Sequence, residues 1–193
     1  MKLLVSNTLL TQVGDFAIQF NKNSFGITPA TPLQCPALGP NQSETTVLPL
    51  NTNGQVQKMA PLNTLQVAIK TSNGVCYWAA PMPIHIFFVM DGKMESSLFV
   101  NTWKEIPQTN EKSYDISGWN NTDLMSQKLL ANNIFMITSR NIDGQEMVYF
   151  SMKLTNQLSI LVEVKCPGRI TVKCRVPDVC DLVHESIQEI ISS

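Results

Sequence analysis

An excess of either charge is missing from this chain: 14 Lys and Arg stand against 15 Asp and Glu in 193 residues, a formal net charge of -1. Without a long-range field of one sign, no nucleic-acid partner is expected, and contact with a membrane is expected only indirectly. Long hydrophobic runs are missing too. The longest, YWAAPMPIHIFFVM from Tyr77 to Met90, is too short to span a bilayer and contains two prolines and a histidine. The opening MKLLVSNTLL reaches Ser6 and Asn7 after three apolar residues, which is not a secretory core, so a cytoplasmic location is expected.

Histidine is scarce, with only His85 and His184, and the five cysteines at 35, 76, 166, 174 and 180 contain no CxxC pair. Neither a zinc site nor a disulfide framework is suggested, and free thiols, no metal and no cofactor are expected. Asn41 and Asn120 match the glycosylation pattern, which has no use in a reducing compartment. Also absent are a GxSxG elbow, a Gly-rich phosphate loop, an HExxH pair and a calcium loop. No catalytic residues are therefore expected. A thiol-dependent enzyme stays open only if a cysteine and His85 or His184 meet in a cleft. There is no internal repeat and no low-complexity segment.

What is present divides in two. Residues 1 to 90 hold four Lys and Arg and two Asp and Glu, whereas residues 91 to 193 hold ten and thirteen. A boundary is read at Val89 to Asp91, giving units 1-89 and 90-193. Eight of the eleven prolines fall in the first part, whose Pro, Ser, Thr and Asn clusters separate short alternating segments. That pattern predicts antiparallel strands in a β-sandwich.

In the second part the spacing of Met94, Leu98, Thr102 and Ile106 predicts a helix from about Gly92 to Ile106, ended by Pro107, with a shorter one near Asp123 to Ala131. Turn signals IDGQ, LTNQ and CPGR separate four strand-like runs, a meander, and the segment from Pro177 is an amphipathic helix for one side of that sheet. The whole is predicted to be α+β.

Alternation places Val148, Phe150, Met152, Ile160, Val162, Val164, Ile170, Val172 and Cys174 on the inner face, and Tyr149, Glu163, Lys165, Lys173 and Arg175 on the other. If Asp143-Gly144 forms a two-residue hairpin loop, Arg140 stands opposite Met147 and diagonal to Tyr149; a three-residue loop at Thr155 to Gln157 pairs Tyr149 with Glu163. A ring flanked by a cation and an anion suits an amphipathic peptide with charges of its own. Trp103 sits roughly 90° from the stripe centred between Thr102 and Ile106, where it either seals the core edge or faces outward. In the first part, Phe16, Ile18 and Phe20 face in and Gln19 out, and Leu65, Val67 and Ile69 face in while Gln66 and Lys70 face out. Tyr77 can join that outward surface, and alternation alone leaves a solvated face and a binding site both open.

The strings DFAIQFNKNSFG, PLNTLQVAIK, DGKMESSLFVNTWKEIP and RNIDGQEMVYFSMKLTN resemble the C-terminal appendage, or ear, of the beta-adaptin large subunit of clathrin adaptor complexes. The likeness runs from about Asp15 to the C-terminus. It implies an N-terminal immunoglobulin-like β-sandwich, here missing its first strands, followed by an α+β platform with an antiparallel sheet and flanking helices. It also implies that the family's trunk and clathrin-box hinge are absent here, and the missing first strands imply a truncated sandwich with an exposed sheet edge.

The function implied is peptide-motif recognition in vesicle-mediated intracellular protein transport and endocytosis. The partners implied are clathrin, accessory and cargo-adaptor proteins with short linear motifs, and other adaptor-complex subunits through the trunk. The location implied is peripheral on clathrin-coated membranes of plasma-membrane pits or of the trans-Golgi network and endosomes. Carried over by position, the platform site would comprise Trp103, Lys104, Glu111, Arg140, Tyr149 and Glu163. A second site on the sandwich side would use Gln19, Gln66, Lys70 and Tyr77. A structural remnant that binds nothing is the alternative.

Overall fold

A computed structural model describes residues 1–193, which separate into two compact units, Met1–Met82 and Pro83–Ser193. The junction precedes the charge shift read at Val89 to Asp91. Residues 83 to 89 join the second unit because their backbone is bonded there: the Val89 N–H donates to the Lys153 carbonyl at 2.9 Å, and Asn133 Nδ2 donates to the Phe88 carbonyl at 2.8 Å.

The first unit is built from short strands. These are β1 (Lys2–Ser6), β2 (Ala17–Phe20), β3 (Thr28–Pro29), β4 (Ser43–Val47), β5 (Leu50–Asn51), β6 (Thr64–Thr71) and β7 (Gly74–Pro81). They pair antiparallel as a three-stranded sheet β2-β6-β7 and two-stranded sheets β1-β4 and β3-β5. Leu65, Val67 and Ile69 of β6 are buried and alternate with exposed Gln66 and Lys70 and half-buried Ala68, as a sheet with one wet face requires. An apolar groove of about 530 Å³ opens between β1 and the Cys76 and Trp78 side of β7.

The second unit contains α1 (Ser96–Glu105), β8 (Glu111–Asp115), α2 (Thr122–Leu130), β9 (Phe135–Ile142), β10 (Gln145–Lys153), β11 (Ser159–Lys165), β12 (Arg169–Cys174) and α3 (Asp178–Ser192), after a 3₁₀ turn over Ile84–Phe87. Five antiparallel strands run in the order β8-β12-β11-β10-β9. The fold is α+β. The meander appears as expected, with one strand more: β8 adds to the edge of β12, pairing Glu111 with Lys173 and Tyr114 with Ile170. Its sequence, EKSYD, is polar because one face meets α3 and the other is half open, so no apolar alternation marks it.

The turns set the register as expected. Asp143 and Gly144 both take positive φ, 52° and 82°, the two-residue hairpin geometry that a right-twisted ladder favours. Ile142 therefore pairs with Gln145, and Arg140 with Met147. The inner face, from Val148 through Cys174, is fully buried. It is covered by α3, whose Val179, Val183, Ile187 and Ile191 form its buried stripe, and by α2, which packs on α3 and β9.

The first helix departs from its expected limits. It starts at Ser96, because the preceding residues bond to β10 instead: Ser151 Oγ donates to the Gly92 carbonyl and accepts from the Met94 N–H, both at 2.9 Å. A Cβ on Gly92 would lie 2.8 Å from the Lys153 nitrogen, so only glycine permits that approach. The helix is also rotated from the expected stripe. Phe99 and Ile106 are buried and Leu98 is exposed, so Phe99 and Trp103, rather than Leu98, pack toward the sheet. The face of the sheet opposite α2 and α3 is thus covered in part by α1.

A groove between the first helix and the sheet

Phe99, Ile106 and Leu161 form a small buried cluster, against which Met94, Trp103, Ile137 and Tyr149 pack half-buried. The Phe99 ring organises it. Trp103 stacks on Phe99 with centroids 5.7 Å apart and planes at 25°, and Tyr149 meets Phe99 edge-on at 5.8 Å and 75°. Both arrangements lie within the favoured range for aromatic pairs. They leave one side of the indole and of the phenol ring lining an open groove.

That groove holds about 240 Å³ and is lined by Ser96, Phe99, Val100, Trp103, Lys104 and Ile137 together with Thr138, Arg140, Tyr149 and Glu163. Five of the six expected platform residues thus meet in one place. Trp103 and Lys104 come from successive positions of α1, Arg140 from β9, Tyr149 from β10 and Glu163 from β11. Tyr149 stands directly across from Glu163 and from Thr138, and a bulge between Tyr149 and Phe150 re-aims β9 so that Ile137 and Thr138 both reach the groove. Burial raises the Tyr149 phenol above its ordinary value, the Glu163 carboxylate raises it further, and Arg140 opposes both. The phenol is a neutral hydrogen-bonding group at neutral pH.

Glu111 does not line the groove. It opens β8, where its carboxylate lies 3.2 Å from Lys173 Nζ, and Lys173 in turn lies 5.3 Å from the centroid of the Trp103 ring. Lys173 was legible as a residue of this face but not as a buried one, because nothing in EKSYD announced the strand beside it.

On the first unit, Gln19, Gln66, Lys70 and Tyr77 share one face of the β2-β6-β7 sheet. Gln19, Ala68 and Tyr77 form a single row across it, Ala17, Lys70 and Val75 the next, and Gln66 pairs with Ala79 on the other side. Alanine in each row makes the surface low, and Tyr77 stands above it, 78% exposed.

The thiols and histidines take other places. Cys174 donates to the Val176 carbonyl at 2.9 Å and lies 3.8 Å from Cys180, both buried. His184 stacks on Tyr114 with centroids 4.4 Å apart, its Nε2 3.2 Å from the Asp115 carbonyl. Burial pushes the Cys35 and Cys166 thiols up, the direction that makes a poor nucleophile.

Each unit is built on antiparallel sheets, and the second adds helices on both faces of a five-stranded sheet and an aromatic groove with a charged rim, the architecture of an appendage-like domain. A family profile described as "Beta2-adaptin appendage, C-terminal sub-domain" matches residues 89–191. The chain belongs to the family of beta-adaptin appendage domains. It is 44% identical over 203 residues, covering all of this chain, to the AP-1 complex subunit beta-1 of Homo sapiens, and 47% identical over 186 residues, covering 93% of it, to that of Rattus norvegicus. The AP-1 complex subunit beta of Dictyostelium discoideum is 27% identical over 203 residues, again covering all of this chain. The chain spans 21%, 20% and 22% of the length of these three relatives.

Proposed function

We propose that this chain is the protein-binding appendage of a clathrin adaptor beta subunit, of the AP-1 type for which its relatives are named, and that it recruits clathrin and accessory or cargo-adaptor proteins through short peptide motifs. One observation carries the reading: Trp103, Lys104, Arg140, Tyr149 and Glu163, drawn from four separate elements, line one groove with an aromatic wall and charges of both signs. A hydrophobic slot with a mixed rim takes the apolar face of a short amphipathic helix. The peptide's phenylalanine side chains lie against Trp103 and Tyr149. Glu163 receives a basic residue and Lys104 or Arg140 an acidic one.

Binding of this kind is non-enzymatic and weak for each copy, since a short motif buries little area and must be ordered on binding. Many appendages gathered on one coat raise the net affinity. The row of Gln19, Ala68 and Tyr77, flanked by Gln66 and Lys70, serves as a second and separate peptide site. Attachment to coated membranes, at plasma-membrane pits or at the trans-Golgi network and endosomes, is peripheral and indirect, through partner proteins and the remaining adaptor subunits.

The test is calorimetric titration of a helical peptide bearing spaced phenylalanines and an arginine into wild-type protein and Trp103→Ala. Micromolar binding to the wild type that is lost in the variant supports the reading. A folded wild type that binds no such peptide contradicts it.

A further inference from the structure

We propose that Lys173 is a positioning residue of the groove: its ammonium, paired with Glu111, holds the Trp103 indole in place against the wall. The proposal rests on the peptide-binding reading above.

Lys173 is only 6% exposed, on a strand whose neighbours Thr171 and Leu161 are buried as well. A lysine that merely tolerated this position would extend its stem and keep its charge in water. This one does not. A buried ammonium is costly unless compensated, and two groups compensate it: the Glu111 carboxylate at 3.2 Å and the face of the Trp103 indole, with 5.3 Å from Nζ to the ring centroid. The other ion pairs nearby are otherwise engaged, Arg175 with Glu105 and Lys112 with Asp181. Register makes the arrangement firm, because Glu111, Lys173 and Leu161 form one row across β8, β12 and β11. Leu161 belongs to the same apolar cluster as Phe99, on which the indole stacks. Trp103 is therefore fixed by a ring stack and by a buried cation, and only the second can be removed without cutting into the hydrophobic cluster.

One oxygen of the Glu111 carboxylate faces Lys173, and Glu111 does not line the groove.

The test uses the full chain, labelled with ¹⁵N, as wild type, Lys173→Met, Lys173→Arg and Glu111→Gln. Three tryptophans give three side-chain N–H signals, and Trp103→Phe identifies the one that matters. Lys173→Met is expected to move the Trp103 indole signal while leaving those of Trp78 and Trp119 in place. It should weaken the phenylalanine-and-arginine peptide by about tenfold, the scale of one desolvated cation–ring contact, and Lys173→Arg should restore both. Glu111→Gln should move the Trp103 signal in the same direction.

An unmoved Trp103 signal in folded Lys173→Met overturns the proposal, and so does wild-type affinity in that variant. If Lys173→Met does not fold, an unmoved Trp103 signal in Glu111→Gln overturns it instead. Failure of the wild type to bind any peptide contradicts the peptide-binding reading, while the indole signal still judges the positioning of Trp103.

Discussion

Phe99 meets Tyr149 edge to face, with ring centroids 5.8 Å apart and planes at 75°, and so joins the first helix to strand β10 of the second unit. The same ring carries the indole of Trp103 on its face. One buried phenylalanine thus sets the spacing between the two aromatic walls of the groove.

Phe99→Ala and Trp103→Ala should accordingly separate stability from binding. Phe99 is buried, and its truncation is expected to cost about 3–5 kcal/mol of folding stability. Trp103 is half-buried, and its truncation should lower stability far less while costing roughly 2 kcal/mol or more of peptide affinity. Denaturant titration of both variants alongside peptide titration checks this.

Tyr77→Ala should leave thermal stability within about 0.5 kcal/mol of wild type, because the side chain stands free of the core. It should reduce binding of any partner that uses the first unit and leave phenylalanine-and-arginine peptide binding to the second unit unchanged. Paired titrations with the two ligand types test the independence of the two faces.

Asp181 offers a pH test. Lys112 Nζ and the Tyr114 hydroxyl both donate to its carboxylate at 2.7 Å, and these two bonds hold its carboxyl below the ordinary range. A carboxylate whose folded value is depressed stabilises the fold above its unfolded value of about 3.9 and loses that contribution as pH falls through the folded value. Asp181→Asn should therefore be less stable than wild type at pH 7, and the gap should close as pH falls below about 4. Melting temperatures of the two proteins between neutral and acid pH measure it.

The connection from β8 to α2 is held by a polar cluster. Thr122 Oγ1 donates to Glu146 Oε2 at 2.7 Å and accepts from the Trp119 indole at 3.2 Å, while Ser139 Oγ donates to Glu146 Oε1 at 3.0 Å. Thr122→Val keeps the shape and leaves the carboxylate and the indole short of a partner. A loss of about 1–3 kcal/mol in chemical denaturation is expected, with peptide affinity unchanged because none of these residues lines the groove.

Much of this was legible in the sequence because strand alternation and turn chemistry are local signals. The TNQ loop sets the opposition of Tyr149 to Glu163, and the DG turn that of Arg140 to Met147. The placement of Gln19, Gln66, Lys70 and Tyr77 on one face followed from the same alternation. What alternation could not supply was context beyond the strand. The polar strand β8 carries no apolar period, so the pairing of Glu111 with Lys173 stayed hidden. Helical periodicity put Leu98 on the core stripe because it counted Gly92 to Glu95 as helix. In the fold those residues are tied to β10 through Ser151, and the helix rotates to turn Phe99 and Trp103 inward.

The most direct measurement is a map of backbone amide and indole signals of the ¹⁵N-labelled chain as the phenylalanine-and-arginine peptide is added. Binding in the groove requires the largest shifts at Val100, Trp103, Lys104, Arg140, Tyr149 and Glu163, absent in Trp103→Ala. Shifts clustered elsewhere on the second unit, with these residues unmoved, would contradict it.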